Sequence, residues 1–447
     1  MQNKDLMTTG PIKEKIVKFA LPLMAGNLFQ NLYNAADSVI VGNFIGSNAL
    51  AAVSSAGNLI FMVVGFFVGL SAGCGVVIGR YIGAQDKKNT GIAVHTTLAI
   101  GIINSIIMTL IGILYAKPVL TLMGTPDDVL VEAVHYFQVY FAGSFGFVMY
   151  NTLISILQAA GDSKRPLQYL IISSIINIVL DLVLIAGLHM DVRAAAFATA
   201  VSQLFSAILC VRRLLKIDAD YRIEFSKIRL NRSMAAQTMH MGIPSGLQNT
   251  IMGFSNVVIQ SYINSYGAMA MAGIGAYCKV EGFIFIPITA FAVGITTFTS
   301  QNYGAGNYDR IRKGARFGIL SAVIMAEIMG AVLFLSAPYL IAMFDRNPEV
   351  IAFGVARARY VTPFFFLCAF THAMSAVMRG LGKPMVPLFV FLFCWCAMRI
   401  IILTVTELFV HTVMTTYLVY PITWTLSSTV LLCVYLFKVR RQLVQTA

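Results

Sequence analysis

An aspartate stands in the middle of an apolar stretch, which is an unusual place for a carboxylate. Residues 176–187 read INIVLDLVLIAG, with Asp181 near the centre. An Asp at the centre of a membrane helix costs roughly 2.5–3.5 kcal/mol on insertion scales. Asn177 lies four residues earlier and therefore on the same helix face. Because acids deep in membrane segments usually serve a function, Asp181 predicts an ion or proton site. The alternative is a structural hydrogen bond between helices.

A second acid, Asp37, ends a strongly polar stretch of the first apolar segment. Residues 27–37 read NLFQNLYNAAD, and a membrane helix this polar needs partners or water. We predict that Asp37 is functional. We also predict that Gln30, Tyr33 and Asn34, on the same segment, contact a substrate.

Other charged residues also fall inside apolar segments of the second half. We predict that Glu281 binds substrate as the counter-charge to a cation, with Lys279 nearby as a competing structural partner. For Glu327, Glu407 and Arg399 we expect structural roles, in which they pair with one another or reach toward the membrane surface.

The composition is that of a membrane protein without a soluble domain. Hydrophobic residues make up 58% of the 447 residues and charged residues only 11%, against about 25% in ordinary soluble domains. Runs long enough to cross a hydrocarbon core about 30 Å thick recur along the whole chain. The polar N-terminus is followed by no cleavage site, so no signal peptide is predicted. The twelve predicted spans are 14–38, 50–78, 91–115, 133–159, 166–188, 193–214, 236–263, 271–298, 315–336, 353–377, 385–408 and 413–437.

The net charge of +13 is explained by where the basic residues lie. Most of the Lys and Arg residues fall at the termini and in alternate loops, whereas the opposite loops hold only Lys117, Arg193 and Arg346. This asymmetry places both termini in the cytoplasm and argues against a nucleic-acid partner.

The seven cysteines form no CxxC, so we expect packing rather than a disulfide or metal role. His95 and His372 are expected to be satisfied core residues.

The two halves of the chain repeat each other. Pro22 corresponds to Pro244, Gly73 corresponds to Gly294, and RYIGAQD at 80–86 corresponds to QNYGAGN at 301–307, with an offset that varies by no more than a single position. Each half carries six spans, so both halves enter the membrane in the same direction, as in some secondary transporters. The predicted fold is therefore an all-α polytopic membrane protein with twelve transmembrane helices in two pseudo-symmetric six-helix lobes. The predicted lobes are 1–210 and 235–447, joined by a basic cytoplasmic linker at 211–234.

Several phrases together resemble the multidrug and toxic compound extrusion (MATE) transporters. They are DSVIVGNFIGSNALAAVS at 37–54, GRYIGAQD at 79–86, LQAAGDSKRP at 157–166 and NIVLD at 177–181. The resemblance covers essentially the whole chain. It implies export of organic cations through a V-shaped cleft between the lobes, driven by a sodium or proton gradient. In the branch most resembled, the N-terminal lobe holds the coupling ion, which implies ligands at Asp37, Asn177, Asp181 and Thr199.

The residues agree with that implication, because two carboxylates, an amide oxygen and a hydroxyl form an all-oxygen site of the kind hard cations prefer. We therefore predict a multidrug exporter in the cytoplasmic (inner) membrane, acting as a monomer and exchanging organic cations for H⁺ or Na⁺. No other cofactor and no catalytic site are predicted. A flippase for a lipid-linked precursor is the main alternative. A channel is a weaker one, and an intramembrane protease lacks its GxGD motif here.

Overall fold

The computed structural model describes residues 6–45, 47–122 and 127–439, and regular structure within these ranges is entirely helical. We number the helical segments α1 to α12 and treat a broken segment as one. Those of the first half are α1 (Ile12–Phe44), α2 (Ser47–Gly83), α3 (Lys87–Leu122), α4 (Asp127–Ala142 and Ser144–Ala159), α5 (Lys164–Asp181, continued by a π-helical turn at Leu182–Gly187) and α6 (Arg193–Lys216).

A linker with one 3₁₀ turn, Phe225–Lys227, leads to the second half. Its segments are α7 (Arg232–Asn264), α8 (Ala268–Gly304), α9 (Tyr308–Ala342), α10 (Pro348–Val361 and Phe365–Gly380 around the 3₁₀ turn Thr362–Phe364), α11 (Met385–Val390 and Met398–Phe409 around the π turn Phe391–Ala397) and α12 (Met414–Val434, continued by a π turn at Tyr435–Val439).

Each of the twelve predicted spans lies on one of these segments, so the predicted all-α polytopic fold is confirmed. Among the described residues, nine helices and the bent pair in α4 are long and apolar enough to cross a membrane. The two segments outside that set are α1 and α7, the first helix of each half. Both carry an internal proline and many polar side chains, which lowers their hydropathy.

The two halves share their irregularities as well as their sequence. Helices α2 and α8 are both 37 residues long. The break in α4 falls at Gly143, and the break in α10 ends at Phe364, the equivalent position of the second half. The bend in α4 measures 48°. The two halves therefore share one backbone plan, and equivalent positions in them carry different side chains.

The helices form two compact units, which we call the N unit and the C unit. The N unit contains Ala25–Gly246, and the C unit contains Met7–Met24 and the described chain from Leu247 onward. Thus α1 and α7 each divide between the two units: Phe19 packs in the core of the C unit, and Met241 in that of the N unit. The lobe boundaries at 210 and 235 stay a prediction, because these packing units cut the chain elsewhere.

Glycine permits the close packing of α7 against α2 within the N unit. A Cβ on Gly73 would overlap backbone atoms of Gly242 and Met241, and a Cβ on Gly69 would overlap those of Ser245 and Gly246. Backbone atoms cannot move aside as a flexible side chain can. The two helices can therefore approach this closely only with glycine at these positions.

We expect Gly73→Ala to destabilise the protein by about 1–3 kcal/mol, because the added methyl group forces the two backbones apart. Gly91→Ala in α3 is the matched control, since nothing lies within 4 Å of a Cβ at that position. Alanine there gains about 1 kcal/mol of helix propensity. Thermal unfolding in an uncharged detergent should show a lower Tm for Gly73→Ala and an equal or higher Tm for Gly91→Ala. Equal Tm values for the two variants would contradict the close packing.

Candidate functional site

Asp37 on α1 and Asp181 on α5 come together inside the N unit. Their carboxyl groups lie within hydrogen-bonding reach of each other, although they are far apart in the sequence. Asp181 is 0% exposed. On each residue the Oδ1 atom is buried and has no hydrogen-bond partner among the described residues. Two carboxylates this close repel each other unless a proton or a cation lies with them.

Asn177 and Thr199 complete the predicted set of ligands. In the amide orientation that satisfies both of its ends, the Asn177 nitrogen donates to Asp181 Oδ2 and its oxygen accepts from the Thr199 backbone N–H, both at 3.3 Å. In the opposite orientation the nitrogen donates to Thr199 Oγ1 at 3.4 Å. Asn177 and Asp181 share a face of α5 because they are four residues apart. The structure thus gathers the four predicted residues from α1, α5 and α6.

A group of tyrosines surrounds the acids. The Tyr33 side chain lies close to Gln30 on its own helix and to Gln203 on α6. Tyr136 on α4 is buried and lies close enough to Asp37 and Asp181 to interact with both electrostatically. Tyr33 therefore belongs to the acid site itself. Tyr136 and Gln203 are members that the sequence did not single out, although Gln203 follows Thr199 by four residues and so shares its helix face.

The other polar residues of α1 lie at the edge of this group. Gln30 is half-buried beside Tyr33, whereas Asn34 is on an exposed part of the helix. Gln30, Tyr33 and Asn34 thus occupy neighbouring turns of one segment. Their role in binding a substrate stays a prediction.

The chemistry of the acid site suits a proton or a hard cation. It offers carboxylate, amide, hydroxyl and phenol oxygens, and its buried Oδ1 atoms lack partners among the residues that the structure describes. Oxygen ligands of this kind bind hard cations, and a carboxylate pair can equally hold a proton. The helix widens into the π turn Leu182–Gly187 directly after Asp181. Such π turns occur often at functional sites, so the local backbone agrees with a binding role.

Glu281 on α8 lies in a different environment, inside the C unit. It is 8% exposed and accepts a hydrogen bond from the Tyr277 hydroxyl at 3.4 Å. The charges of Arg357 and Arg399 act on it through space. Lys279 points elsewhere, with its ammonium 5.4 Å from the centre of the Phe344 ring. The expected competition from Lys279 is therefore wrong, and two guanidinium groups take its place.

Glu327, Glu407 and Arg399 do not pair with one another. Glu327 accepts a hydrogen bond from the backbone N–H of Phe366 at 2.7 Å, at the break in α10. Glu407 accepts from the Tyr266 hydroxyl at 2.8 Å and contacts His411. The expected mutual pairing is wrong because Tyr266 and the freed amide of the helix break satisfy the two carboxylates first.

The two core histidines differ. His95 is satisfied as predicted: its Nδ1 donates to the Gly91 carbonyl at 2.7 Å, and its Nε2 accepts from the Glu224 backbone N–H at 3.0 Å. His372 is packed among aromatic rings, and its Nε2 has no hydrogen-bond partner among the described residues. For His372 the prediction of a satisfied ring is wrong.

A polar cavity of about 490 Å³ lies between the start of α3 and the linker, and none of the acid-site residues lines it. The exposed ion pairs Lys87–Asp220 and Lys227–Glu224 line it. Exposed pairs of this kind contribute little to stability. We assign this cavity no role in the acid site.

Comparisons with known proteins agree with the duplicated fold. The MatE family model matches residues 22–183 and again 244–405, so the two halves match it over segments of equal length. The Bacillus subtilis proteins named probable multidrug resistance proteins YoeA and YpnP are 25% and 26% identical to this chain. Each alignment covers 84% of this chain, and 82% and 84% of the respective relative.

A solved outward-facing structure of a multidrug resistance MATE family transporter of the MOP superfamily is similar with a TM-score of 0.91. It is 23% identical, and the match covers 100% of this chain and 99% of the other. At this identity the structural likeness establishes the fold alone.

We expect Asp181→Asn to remove the response of the protein to its ion. A cation at one hundred times its Kd stabilises the folded state by about 2.7 kcal/mol, and Asn cannot supply the charge that attracts it. The Tm of the purified wild-type protein should rise when sodium or acid is added to an alkaline, sodium-free buffer. The Tm of Asp181→Asn should not.

Asp218→Asn is the matched control, since Asp218 is exposed in the linker. It should behave as the wild type does. A Tm response of Asp181→Asn equal to that of the wild type would show that Asp181 serves packing alone.

Proposed function

The chain belongs to the MatE family of transporters, and from this premise we propose that it is a secondary active multidrug exporter. In this proposal lipophilic or cationic molecules leave in exchange for H⁺ or Na⁺ by alternating access. The observation that carries the proposal is the pair of carboxylates, Asp37 and Asp181, whose Oδ1 atoms are buried and have no partner among the described residues. The names of the relatives YoeA and YpnP support drugs as the substrate class.

We further propose a monomer in the cytoplasmic membrane, with both termini in the cytoplasm. The distribution of Lys and Arg along the sequence supports this orientation. The substrates would be small molecules that enter from the cell or from the bilayer.

The acid site suggests how an ion could drive motion. Asp37 belongs to α1, whereas Asn177 and Asp181 belong to α5, so one bound ion ties the two helices together. Pro22 removes a backbone hydrogen bond inside α1 and makes that helix easier to bend. If the ion-bound shape disfavours the drug, ion and drug compete through a coupling free energy that is necessarily reciprocal.

The alternative of a flippase for a lipid-linked precursor has one observation in its favour. Arg357 and Arg399 are fully buried in the C unit, with N–H groups that have no partner in the described part of the chain. A pyrophosphate headgroup needs donors of this kind. We prefer the exporter because the acid pair supplies a coupling site, which a flippase does not require.

Transport in liposomes separates these functions. With a fluorescent cation inside, an imposed sodium gradient or pH gradient should each be tested for driven efflux. We expect the wild type to respond to at least one gradient and Asp181→Asn to neither, while Asp218→Asn retains the wild-type rate. Movement of a fluorescent lipid between leaflets without any gradient, and no driven efflux, would favour the flippase. Full efflux by Asp181→Asn would refute the proposed coupling site.

Distance measurements test the proposed motion. Spin labels at Leu32→Cys and Val179→Cys lie on exposed surfaces of α1 and α5. The exposed cysteines Cys278 and Cys433 are replaced by Ser. We expect the inter-label distance to shorten when sodium or acid fills the site, because the ion draws α1 toward α5. The same pair in an Asp181→Asn background should not change. A wild-type distance that is constant under all conditions would contradict the mechanism.

A further inference from the structure

Two arginines and a tyrosine form a stacked cluster deep in the C unit. Arg357 on α10 is 1% exposed and Arg399 on α11 is 2% exposed. The ring of Tyr420 on α12 is shared between them, with its centre 4.9 Å from the Arg357 guanidinium and 4.6 Å from that of Arg399. Tyr277 provides a second ring for Arg357 at 5.2 Å, and Trp395 one for Arg399 at 4.8 Å. The rings hold both planar groups in fixed orientations.

The protein does not use all the hydrogen-bonding capacity of these arginines. Arg399 donates from Nε to Thr423 Oγ1 at 3.2 Å and from Nη1 to Ser255 Oγ at 3.3 Å. Its Nη2 has no partner within the described residues, and neither do Nε and Nη1 of Arg357. Three buried guanidinium nitrogens are therefore left without a hydrogen-bond acceptor among the described residues.

The charge of the cluster is also unbalanced. Among the described residues, Glu281 is the one carboxylate that acts on both arginines, and it hydrogen bonds to Tyr277 instead of either guanidinium. Two guanidinium groups and one carboxylate leave a net positive formal charge. Buried charges in proteins are normally paired and hydrogen-bonded. This cluster therefore has the composition of a binding site for an anion.

The duplication gives an independent reason to regard this cluster as a site. Val129 and Val350 correspond in the repeat, and the interval between them also separates Tyr136 from Arg357. The same interval separates Thr199 from Tyr420. The first member of each of these two pairs belongs to the acid site of the N unit. The second belongs to the arginine cluster.

Asn177 corresponds to Arg399 at an interval longer by a single position. Pro166 and Pro387, near the starts of α5 and α11, keep the shorter interval. The π turn Phe391–Ala397 then adds a residue to α11 before position 399, and the two family matches end at the longer interval. Asp181 corresponds to the buried apolar Leu403. The C unit thus places guanidinium groups at positions equivalent to Tyr136 and Asn177 of the acid site.

We propose that the C unit holds a binding site for an oxyanion, formed by Arg357 and Arg399 around Tyr420. The guanidinium fork matches the two oxygens of a carboxylate or phosphate group. The walls are aromatic, with Trp424 5.7 Å from Tyr420 between ring centres. The ligand is therefore the anionic group of an amphipathic molecule. That this molecule is exported rests on the proposed function; its binding does not.

The chain carries its own reporter for this binding. It has two tryptophans, Trp395 and Trp424, and both pack against this cluster, with ring centres 6.3 Å apart. Tryptophan emission of the purified full chain in an uncharged detergent therefore reports on the site without any ion gradient. The probes are octyl phosphate, octanoate and inorganic phosphate, with octanol and octylammonium as neutral and cationic controls, all at constant ionic strength.

We expect saturable changes in emission with octyl phosphate or octanoate and none with octanol or octylammonium. Arg399→Gln should weaken this binding about tenfold or more, because charge-assisted hydrogen bonds are lost. Arg399→Lys, which keeps the charge but not the fork, tests the same point if the Gln variant fails to fold. Arg359→Gln is the matched control, since Arg359 lies exposed on α10, close to Arg357 in the sequence. It should bind as the wild type does.

A response to inorganic phosphate would identify a free oxyanion as the ligand, and a response to the octyl compounds alone would identify an amphipathic one.

The variant Glu281→Gln tests whether this cluster binds anions or cations. If the cluster binds anions, removal of the competing carboxylate should tighten binding of octyl phosphate. If Glu281 instead serves a cationic substrate, the same change should weaken binding of octylammonium and leave the anions unaffected. That second result would overturn the proposal. So would an absence of any saturable anion response, or equal anion binding by the wild type and both Arg399 variants. If Asp181→Asn loses driven efflux but binds anions as the wild type does, the arginine cluster binds its ligand independently of the acid site.

Discussion

Charge buried inside a membrane protein without a full set of partners is the constraint on which this structure depends. A carboxylate at mid-membrane depth costs several kcal/mol, and apolar helices cannot recover that cost by packing. In the N unit, Asn177, Thr199 and Tyr33 gather around Asp37 and Asp181 and still leave two carboxylate oxygens without partners among the described residues. The remaining cost falls when a proton or cation arrives. In the proposed exporter, the site would therefore couple the shape of α1 and α5 to its occupancy.

Because the chain is duplicated, both halves bury charged groups at equivalent positions. The charge is negative in the first half and positive in the second. The helices share their order and their breaks, so α4, α5 and α6 present the same positions as α10, α11 and α12. In one half those positions carry a tyrosine, an amide and a hydroxyl beside an aspartate. In the other they carry two guanidiniums and a tyrosine beside a leucine. A single backbone plan thus yields a cation-attracting site and an anion-attracting site.

The sequence predicted the helices and the acid site because both depend on local rules. Apolar length marks each span, and a spacing of four residues places Asn177 with Asp181. The grouping with Asp37 came from the family resemblance. Tyr136 and Arg357 were missed for a physical reason: nothing in the local sequence marks either residue until the packing of α4 and α10 buries it. The expected mutual pairing of Glu327, Glu407 and Arg399 is not found, because residues on other helices bind two of them instead: Thr423 accepts from Arg399, and Tyr266 donates to Glu407.

The opposite signs of the two sites have an electrical consequence. Exchange of one monovalent cation for one inward proton moves no net charge across the membrane. Export of a monovalent anion with one proton entering moves two positive charges inward. Each charge contributes about 2.3 kcal/mol per 100 mV, so an inside-negative potential would add about 4.6 kcal/mol to anion export at that voltage. If the proposed acid site and arginine site act in one transporter, the chain would draw on the membrane potential as well as on the ion gradient, and its dependence on voltage would follow the charge of its substrate.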